Sequence, residues 1–272
     1  MSATPAAETT ATADAPVLLS ERRPDGVALL TLNRPRQYNA LSEELLTALT
    51  AELEALAGDD SLRCLVLGAA GKAFCAGHDL KQMRATPDQD YYRRLFGACS
   101  AMMQAIVALP VPVIARVQGM ATAAGCQLVA TCDLAVAAEE ARFATSGINA
   151  GLFCSTPAVA LTRNVAIKPA FEMLVTGDFI AAEEAQRLGL INRAVPAAQL
   201  DEAVAALVGK ILAKSPVAVR TGKRMVYEQL RRGLPDAYDY AAEVMACNMM
   251  AEDAGEGIDA FIEKRPAVWK GR

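Results

Sequence analysis

Two segments of this chain each place an apolar strand just before a turn rich in glycine and alanine, and each turn opens a helix. The first strand covers residues 64–68 and leads into residues 71–80, which contain the only histidine, His78. The second covers residues 112–119 and leads into residues 120–127. A turn that opens a helix leaves backbone N–H groups without partners, and such donors can hold an anion or a developing oxyanion. The two turns together therefore predict a paired backbone oxyanion site.

The rest of the chain frames these turns with alternating strands and helices. Strands are predicted at residues 17–21, 27–32, 64–68, 113–117 and 134–137, and helices after Ser42, at residues 90–109 and from residue 123. Apolar strands that alternate with helices favour a mostly parallel sheet covered on both faces, so the predicted fold class is α/β. Strand signals nearly vanish beyond residue 157. We predict a disordered tail at residues 1–15, an α/β core at residues 16–196 and a helical region at residues 197–272.

Composition argues against several classes of protein. The net charge of −4 disfavours nucleic-acid binding as the main activity. The seven cysteines occur singly, which indicates a reducing compartment and gives no ligand spacing for a metal. No apolar stretch approaches the roughly 18–20 residues of a membrane span, and the first 15 residues lack the pattern of a signal peptide. We therefore expect a cytoplasmic location.

Several motifs, taken in order, resemble the crotonase (enoyl-CoA hydratase/isomerase) superfamily. They lie at residues 32–41, 76–80, 118–127, 176–185, 189–192 and 261–265. Motifs in a shared order are more specific than any one alone, and the similarity covers roughly residues 17–265. Residues 143–157 most resemble the divergent branch called enoyl-CoA hydratase domain-containing protein three. The resemblance implies a spiral core of repeated ββα units and a helical C-terminal region that builds a homotrimer or a dimer of trimers.

The same resemblance assigns roles to individual residues. It makes the backbone amides of His78 and Ala124 the two oxyanion donors. Coenzyme A would enter as part of an acyl-CoA thioester substrate, with no covalently bound cofactor and no metal. Substrate and CoA contacts are expected from Arg36, Tyr38, Ala76, Asp79, Leu80, Phe261 and Lys264. Asp79 is also expected to cap the helix that follows it.

Two departures from the family pattern limit the chemistry. Hydratases of the family hold and activate water with two glutamates, which fall at Gln127 and Gly147 of this chain. Gln127 can hydrogen-bond a water but cannot take its proton, and Gly147 can do neither. A side chain at Gly147 would be strained if this glycine has a positive φ. His78 remains a candidate acid near neutral pH, the alternative being a loop residue used only for its amide.

Three functions follow from these residues. The first is an acyl-CoA thioester-processing enzyme of the hydratase/isomerase type that has the oxyanion hole but lacks the two glutamates. The second is a malonyl-type CoA decarboxylase, because residues 148–151 also resemble the methylmalonyl-CoA decarboxylase branch. In that branch a tyrosine acts where this chain has Cys154. The third is a non-catalytic acyl-CoA-binding protein.

Overall fold

The computed structural model describes residues 15–272, so the predicted tail lies outside the described residues except for Ala15. In chain order the strands are β1 (Leu18–Arg22), β2 (Val27–Leu32), β3 (Cys64–Ala69), β4 (Ala73–Cys75), β5 (Val113–Val117), β6 (Met120–Thr122), β7 (Leu134–Ala138), β8 (Arg142–Ala144), β9 (Ile180–Ala181) and β10 (Arg193–Val195). The helices are α1 (Glu43–Ala57), α2 (Leu80–Ala85), α3 (Gln89–Ala108), α4 (Ala124–Thr131), α5 (Ser155–Leu161), α6 (Ile167–Thr176), α7 (Ala182–Arg187), α8 (Leu200–Leu212), α9 (Pro216–Gln229), α10 (Leu234–Met249) and α11 (Glu252–Glu263).

The strands form two sheets. The main sheet has the order β1-β2-β3-β5-β7-β10, and only its β1–β2 pair is antiparallel. The small sheet has the order β4-β6-β8-β9 and is parallel except at β8–β9. The chain passes from a main-sheet strand to a small-sheet strand and then to a helix, first through β3, β4 and α2 and then through β5, β6 and α4. This repeat confirms the predicted α/β class with a ββα core.

Local sequence explains why the early elements form where they do. All six residues of β3 are buried, as an apolar strand covered on both faces requires. Helix α1 begins after Ser42, whose side chain accepts a hydrogen bond from the Leu45 amide. Its leucines occupy one buried stripe, and Gly58 ends it. The predicted strands, the long α3 and the start of α4 are likewise confirmed to within one or two residues.

Two apolar layers cover the main sheet. Helices α1, α3 and α4 contribute to the larger core on one face. On the other face, α8 packs Leu200, Val204 and Val208 against strand residues that include Val66 and Ile114. Helix α8 lies in the predicted helical region, yet it covers the sheet. The division of the chain at residues 196 and 197 stays a prediction.

Polar groups join helix α9 to the core, and none of the residues of this helix is fully buried. The Lys223 ammonium donates to the carbonyls of Ile106 and Val111 at 3.0 and 2.9 Å and pairs with Asp133 at 2.7 Å. The Tyr227 hydroxyl donates to the other Asp133 oxygen at 2.8 Å. A charge buried to this degree is stable only when paired and hydrogen-bonded. This ion pair therefore fixes the helical region to the end of the sheet where β5 and β7 begin.

The helices of residues 15–272 include none that is long and apolar enough to cross a membrane. Within the same residues, no group of three or more histidine, cysteine, aspartate or glutamate side chains is arranged to hold a metal ion.

Candidate functional site

The two predicted turns are in contact. Gly77, with φ of 91°, lies against the start of α4. A Cβ atom on Gly77 would lie 2.9 Å from the Ala123 Cβ and 3.3 Å from the Ala124 nitrogen. A Cβ on Gly125 would overlap the Cys75 carbonyl. Glycine is therefore required on both sides of the contact, because any side chain would push the turns apart.

Both candidate oxyanion donors are free of protein acceptors. The Leu41 amide donates to the Gly77 carbonyl at 2.8 Å, and the Asp79 amide donates to the Leu41 carbonyl at 3.2 Å. This parallel bridge leaves the His78 N–H pointing away from Leu41. Ala124 is the first residue of α4, so its N–H has no acceptor within the helix. Among the described residues, neither amide donates to a backbone or side-chain oxygen.

Ala123 has a backbone conformation that strongly favours glycine. Its φ is 50° and its ψ is −120°, and its N–H donates to the Ala144 carbonyl at 3.0 Å. An alanine held in such a region costs about 1–3 kcal/mol and persists only where the surroundings fix it. This strained residue places Ala124 at the beginning of α4. The motif alone did not reveal it, because alanine seldom adopts a positive φ.

Asn39 supports the loop that faces the first turn, and sequence reasoning missed it. It is fully buried and has a φ of 54°. Its side-chain oxygen accepts from the Arg34 amide, and its side-chain nitrogen donates to the carbonyls of Ala70 and Ala73, all at 2.8 Å. Burying an amide with all of these bonds formed fixes its position. The only available signal was its place in the motif at residues 32–41.

Asp79 caps α2, as predicted. Its carboxylate accepts from the amides of Lys81 and Gln82 and pairs with Arg34 at 3.0 Å. Arg34 also donates to the Ala40 carbonyl at 2.6 Å, so it joins this loop to the His78 turn. Burial acts to raise the pKa of Asp79, but the Arg34 guanidinium and the capping amides outweigh it and the pKa is lowered. The carboxylate is thus occupied as a structural anion.

The His78 residue is half-buried. Both ring nitrogens are buried and lack hydrogen-bond partners among the described residues, and the ring meets Phe96 edge-on at 5.3 Å. Burial lowers the pKa of His78 to about 4, although the Leu41 backbone acts to raise it. A ring with its pKa lowered in this way is mostly neutral near neutral pH. The roles of the His78 ring and of its amide stay predictions.

Neither position of the missing glutamates carries a base. Gln127 is 5% exposed, and its side-chain oxygen has no partner among the described residues. Gly147 does not have a positive φ, so the condition for strain at this glycine is not met. Its neighbours exclude a side chain instead, since a Cβ atom would lie 2.7 Å from the Leu152 carbonyl oxygen and 2.8 Å from the Cys154 Sγ. Burial raises the pKa of Cys154, which keeps this thiol protonated at neutral pH.

Part of the expected CoA surface lies beside the two turns. Arg36 is exposed in the short 3-10 helix Pro35–Gln37, and Tyr38 follows it with φ of 50°. The Ala76 amide donates to the Tyr38 carbonyl at 3.0 Å, and Leu80 is exposed at the start of α2. Lys72, which sequence reasoning did not name, places its ammonium 5.1 Å from the centre of the Tyr38 ring.

The other two expected CoA residues lie in the helical region. Phe261 is 86% exposed on α11, and Lys264 follows the end of that helix. Helix α11 packs against α9 and α10. In the single chain, Phe261 and Lys264 are therefore grouped with the helical region and not with the two turns.

Comparison with known proteins gives matches over nearly the whole chain. The enoyl-CoA hydratase/isomerase family profile matches residues 22–272. The chain is 46% identical over 254 residues to enoyl-CoA hydratase domain-containing protein 3, mitochondrial, of Rattus norvegicus, which covers 93% of this chain and 85% of that protein. The crystal structure of an enoyl-CoA hydratase from Mycobacterium smegmatis is similar with a TM-score of 0.93 and 58% identity, over 94% of this chain and 99% of that one. The crystal structure of human enoyl coenzyme A hydratase domain-containing protein 3 is similar with a TM-score of 0.90 and 43% identity, over 93% of this chain and 100% of that one.

These matches confirm the resemblance carried by the motifs, including its branch, and the fold expected from it. They contradict the predicted cytoplasmic location. The relatives from rat, Mus musculus, Xenopus laevis, Homo sapiens and Danio rerio are all named mitochondrial. The cytoplasmic prediction rests largely on unpaired cysteines, which indicate a reducing environment and do not identify the compartment. That prediction is wrong.

Because the pKa of His78 is lowered, we expect the free energy of unfolding to fall as the pH drops, and His78→Leu should remove this dependence. An unfolded histidine has a pKa of about 6.5, so between pH 6.5 and about 4 the unfolded chain binds the proton and the folded chain does not. Stability from the neutral ring is complete above pH 6.5 and falls as the pH drops, by up to roughly 3 kcal/mol. Because His78 is the only histidine, urea unfolding of wild type and His78→Leu at pH 7.5 and pH 5 isolates this term. Parallel losses of stability in the two proteins would contradict it.

Proposed function

Since this chain belongs to the enoyl-CoA hydratase/isomerase family, we propose that it binds acyl-CoA thioesters and stabilises their enolates through the backbone amides of His78 and Ala124. The observation that carries the proposal is the contact between the two turns, in which both amides are left without protein acceptors. The thioester carbonyl oxygen accepts a hydrogen bond from each of the two N–H groups. Its charge increases as the enolate forms, so these bonds strengthen in the transition state.

The first turn of α4 adds to this stabilisation. Its free N–H groups carry the positive end of the helix dipole, which favours negative charge at Ala124. Both donors are main-chain amides, so they donate their hydrogen bonds without any change of protonation. Loss of one such donor typically costs about 3–4 kcal/mol of transition-state stabilisation.

Hydration of the usual kind lacks its acid–base groups in this chain. Gln127 has a neutral amide, and Gly147 faces the Leu152 carbonyl and the Cys154 thiol. A water that adds to a double bond needs a group to take its proton, and a positioned acid or base contributes about 10²–10⁴-fold. The site therefore favours reactions that pass through an enolate without an activated water.

The same observation favours decarboxylation of a malonyl-type CoA ester as the second candidate function. In that reaction the bond between the α-carbon and the carboxylate breaks, carbon dioxide leaves, and the electron pair moves into the enolate. The enolate carbon then takes a proton from solvent. No protein base is required, and the developing charge falls on the oxygen held by the His78 and Ala124 amides.

Recognition of CoA is assigned to cations beside the turns. CoA carries a diphosphate and a 3′-phosphate. Arg36 and Lys72 are both exposed; Arg36 precedes Tyr38 by two residues, and the Lys72 ammonium lies near the Tyr38 ring. The pantetheine arm would then run past Ala76 and Leu80 to the oxyanion donors. Phe261 and Lys264 would meet the adenine end from the helical region.

The assembly is proposed to be a homotrimer or a dimer of trimers. Large apolar side chains are exposed on five helices or beside them, at Val159, Ile167, Phe171, Val175, Val226, Leu230, Leu234, Tyr238, Met245, Met249, Met250, Ile258 and Ile262. The methionines of residues 245–250 do not fill a core, since Met250 is 85% exposed. Exposed apolar surface of this extent is typical of subunit interfaces.

Light scattering at micromolar concentration should report particles of three or six chains, and a stable monomer would contradict the proposed assembly.

The chain is expected to bind crotonyl-CoA but hardly to hydrate it. Calorimetry should show specific binding that weakens in high salt and in Arg36→Ala, because phosphate contacts are screened or lost. Hydration should run at least about a thousandfold slower than in a hydratase that has both glutamates, since the acid–base pair is missing.

Methylmalonyl-CoA tests the second candidate function, because decarboxylation of this ester releases carbon dioxide. Absence of binding to any CoA species would overturn the proposal, whereas robust hydration would show that a base has been missed. Binding without turnover of either ester would identify a non-catalytic acyl-CoA-binding protein.

A further inference from the structure

The backbone of Ala123 adopts a conformation that glycine accepts and alanine opposes. Its φ of 50° and ψ of −120° are those of the first central residue of a type II′ turn, a position where glycine is usual. If the peptide unit between Ala123 and Ala124 rotated by half a turn, Ala123 would enter the small left-handed region that alanine is allowed. That rotation would also reverse the Ala124 N–H. The residue at position 123 therefore favours an arrangement in which this amide points away from the site.

Main-chain hydrogen bonds hold Ala123 on both sides against this preference. Its N–H donates to the Ala144 carbonyl at 3.0 Å, which continues the parallel pairing of β6 with β8. Its carbonyl accepts from the Gln127 amide at 3.0 Å, the first hydrogen bond of α4. Because the C=O and N–H of a trans peptide point in opposite directions, this bond directs the Ala124 N–H outward from the start of the helix. Rotation of the peptide unit would break it.

A pair of hydroxyl groups adds a side-chain contact at the same place. Thr122 directly precedes Ala123, and its Oγ1 atom lies 2.6 Å from the Oγ atom of Ser146. The same Oγ1 atom accepts from the Ser146 amide at 3.4 Å. Thr122 is buried at the end of β6, and Ser146 begins the 3-10 helix Ser146–Ala150. Because a hydrogen bond shielded from water is strengthened electrostatically, this pair fixes the residue from which the strained turn starts.

We propose that Thr122 and Ser146 are positioning residues, whose hydrogen bond keeps Ala123 in its strained conformation and so directs the Ala124 N–H at the thioester carbonyl. This inference rests on the proposed function, because it requires that a bound thioester accepts a hydrogen bond from that amide. It identifies the side chains that counteract the preference of Ala123 for the reversed peptide. Residues in sparsely populated conformations persist only where their surroundings determine them, and the hydroxyl pair is such a surrounding.

The test compares acetyl-CoA, which carries the thioester carbonyl, with free CoA, which lacks it. Calorimetry gives the two dissociation constants. Difference infrared spectroscopy of acetyl-CoA labelled with ¹³C at the carbonyl gives the stretching frequency of the bound ligand. The variants Thr122→Val and Ser146→Ala each remove one hydroxyl from the pair, and circular dichroism reports their folding.

Thr131→Val is the matched control for these variants. Thr131 is also buried, and its hydroxyl donates to the Gln127 carbonyl at 2.8 Å, but it lies at the other end of α4. The control therefore removes a buried hydroxyl from the same helix without touching the turn at Ala123.

Thr122→Val and Ser146→Ala should each weaken acetyl-CoA binding about fivefold and leave free CoA unchanged, because one hydrogen bond to the carbonyl is lost. The shift of the carbonyl band to lower wavenumber should fall to about half of its wild-type size, because one of the two donors has turned away. Thr131→Val should change neither the dissociation constants nor the band.

Ala123→Gly tests whether the hydroxyl pair acts through strain. Glycine adopts the observed conformation at little cost, so it should no longer need the pair. Adding Ala123→Gly to Thr122→Val should therefore restore most of the carbonyl shift and of the affinity for acetyl-CoA. A hydroxyl pair that only stabilised the fold would leave the band unchanged when this glycine is added.

Two outcomes would overturn the inference while leaving the proposed function intact. The first is a carbonyl shift of wild-type size in folded Thr122→Val or Ser146→Ala. The second is a reduced shift that Ala123→Gly does not restore. If Thr122→Val fails to fold, Ser146→Ala and its combination with Ala123→Gly carry the same comparison. Wild-type protein that binds acetyl-CoA without any carbonyl shift would instead overturn the proposed function.

Discussion

The contact between Gly77 and the start of α4 is the constraint on which the rest of the site depends. Strands β3 and β5 are parallel neighbours in the main sheet, so the chain leaves both at the same edge. Each then passes through a short strand of the small sheet, and β4 and β6 are again parallel neighbours. The topology therefore brings the two turns together, and the absence of a Cβ on Gly77 allows them to touch. The nearness of the two amides follows from the order of the strands and from the absence of side chains at Gly77 and Gly125.

The Ala124 amide is positioned by a strained backbone, and the His78 amide by buried polar side chains. Ala123 has a positive φ directly before Ala124, and Asn39 and the Arg34–Asp79 pair fix the loop and helix beside His78. Such an arrangement is pre-organised, because little has to move when charge develops on a bound oxygen. In the same turn, burial lowers the pKa of His78 to about 4, so its ring is mostly neutral near neutral pH. The proposed site therefore relies on the main chain, and the Asp79 carboxylate beside it is already paired with Arg34.

The sequence predicts much of this arrangement, because local patterns encode it. Apolar runs locate the strands, Ser42 and Asp79 mark helix starts, and the spacing of the two turns indicates that their amides act together. Features that depend on distant contacts could not be predicted. The space at Gly147 is filled by the chain folding back at Leu152 and Cys154, and the Lys223–Asp133 pair joins residues 90 positions apart. The strain at Ala123 was hidden because alanine gives no signal for a positive φ.

Two backbone amides are proposed to polarise a bound thioester carbonyl. Difference infrared spectroscopy of acetyl-CoA labelled with ¹³C at the thioester carbonyl measures this directly, because stronger hydrogen bonding lowers the carbonyl stretching frequency. We expect the band of the bound ligand to lie at lower wavenumber than in water, and to stay there in His78→Leu, since the amide is retained. A bound thioester whose carbonyl band lies where it does in water would contradict the oxyanion hole.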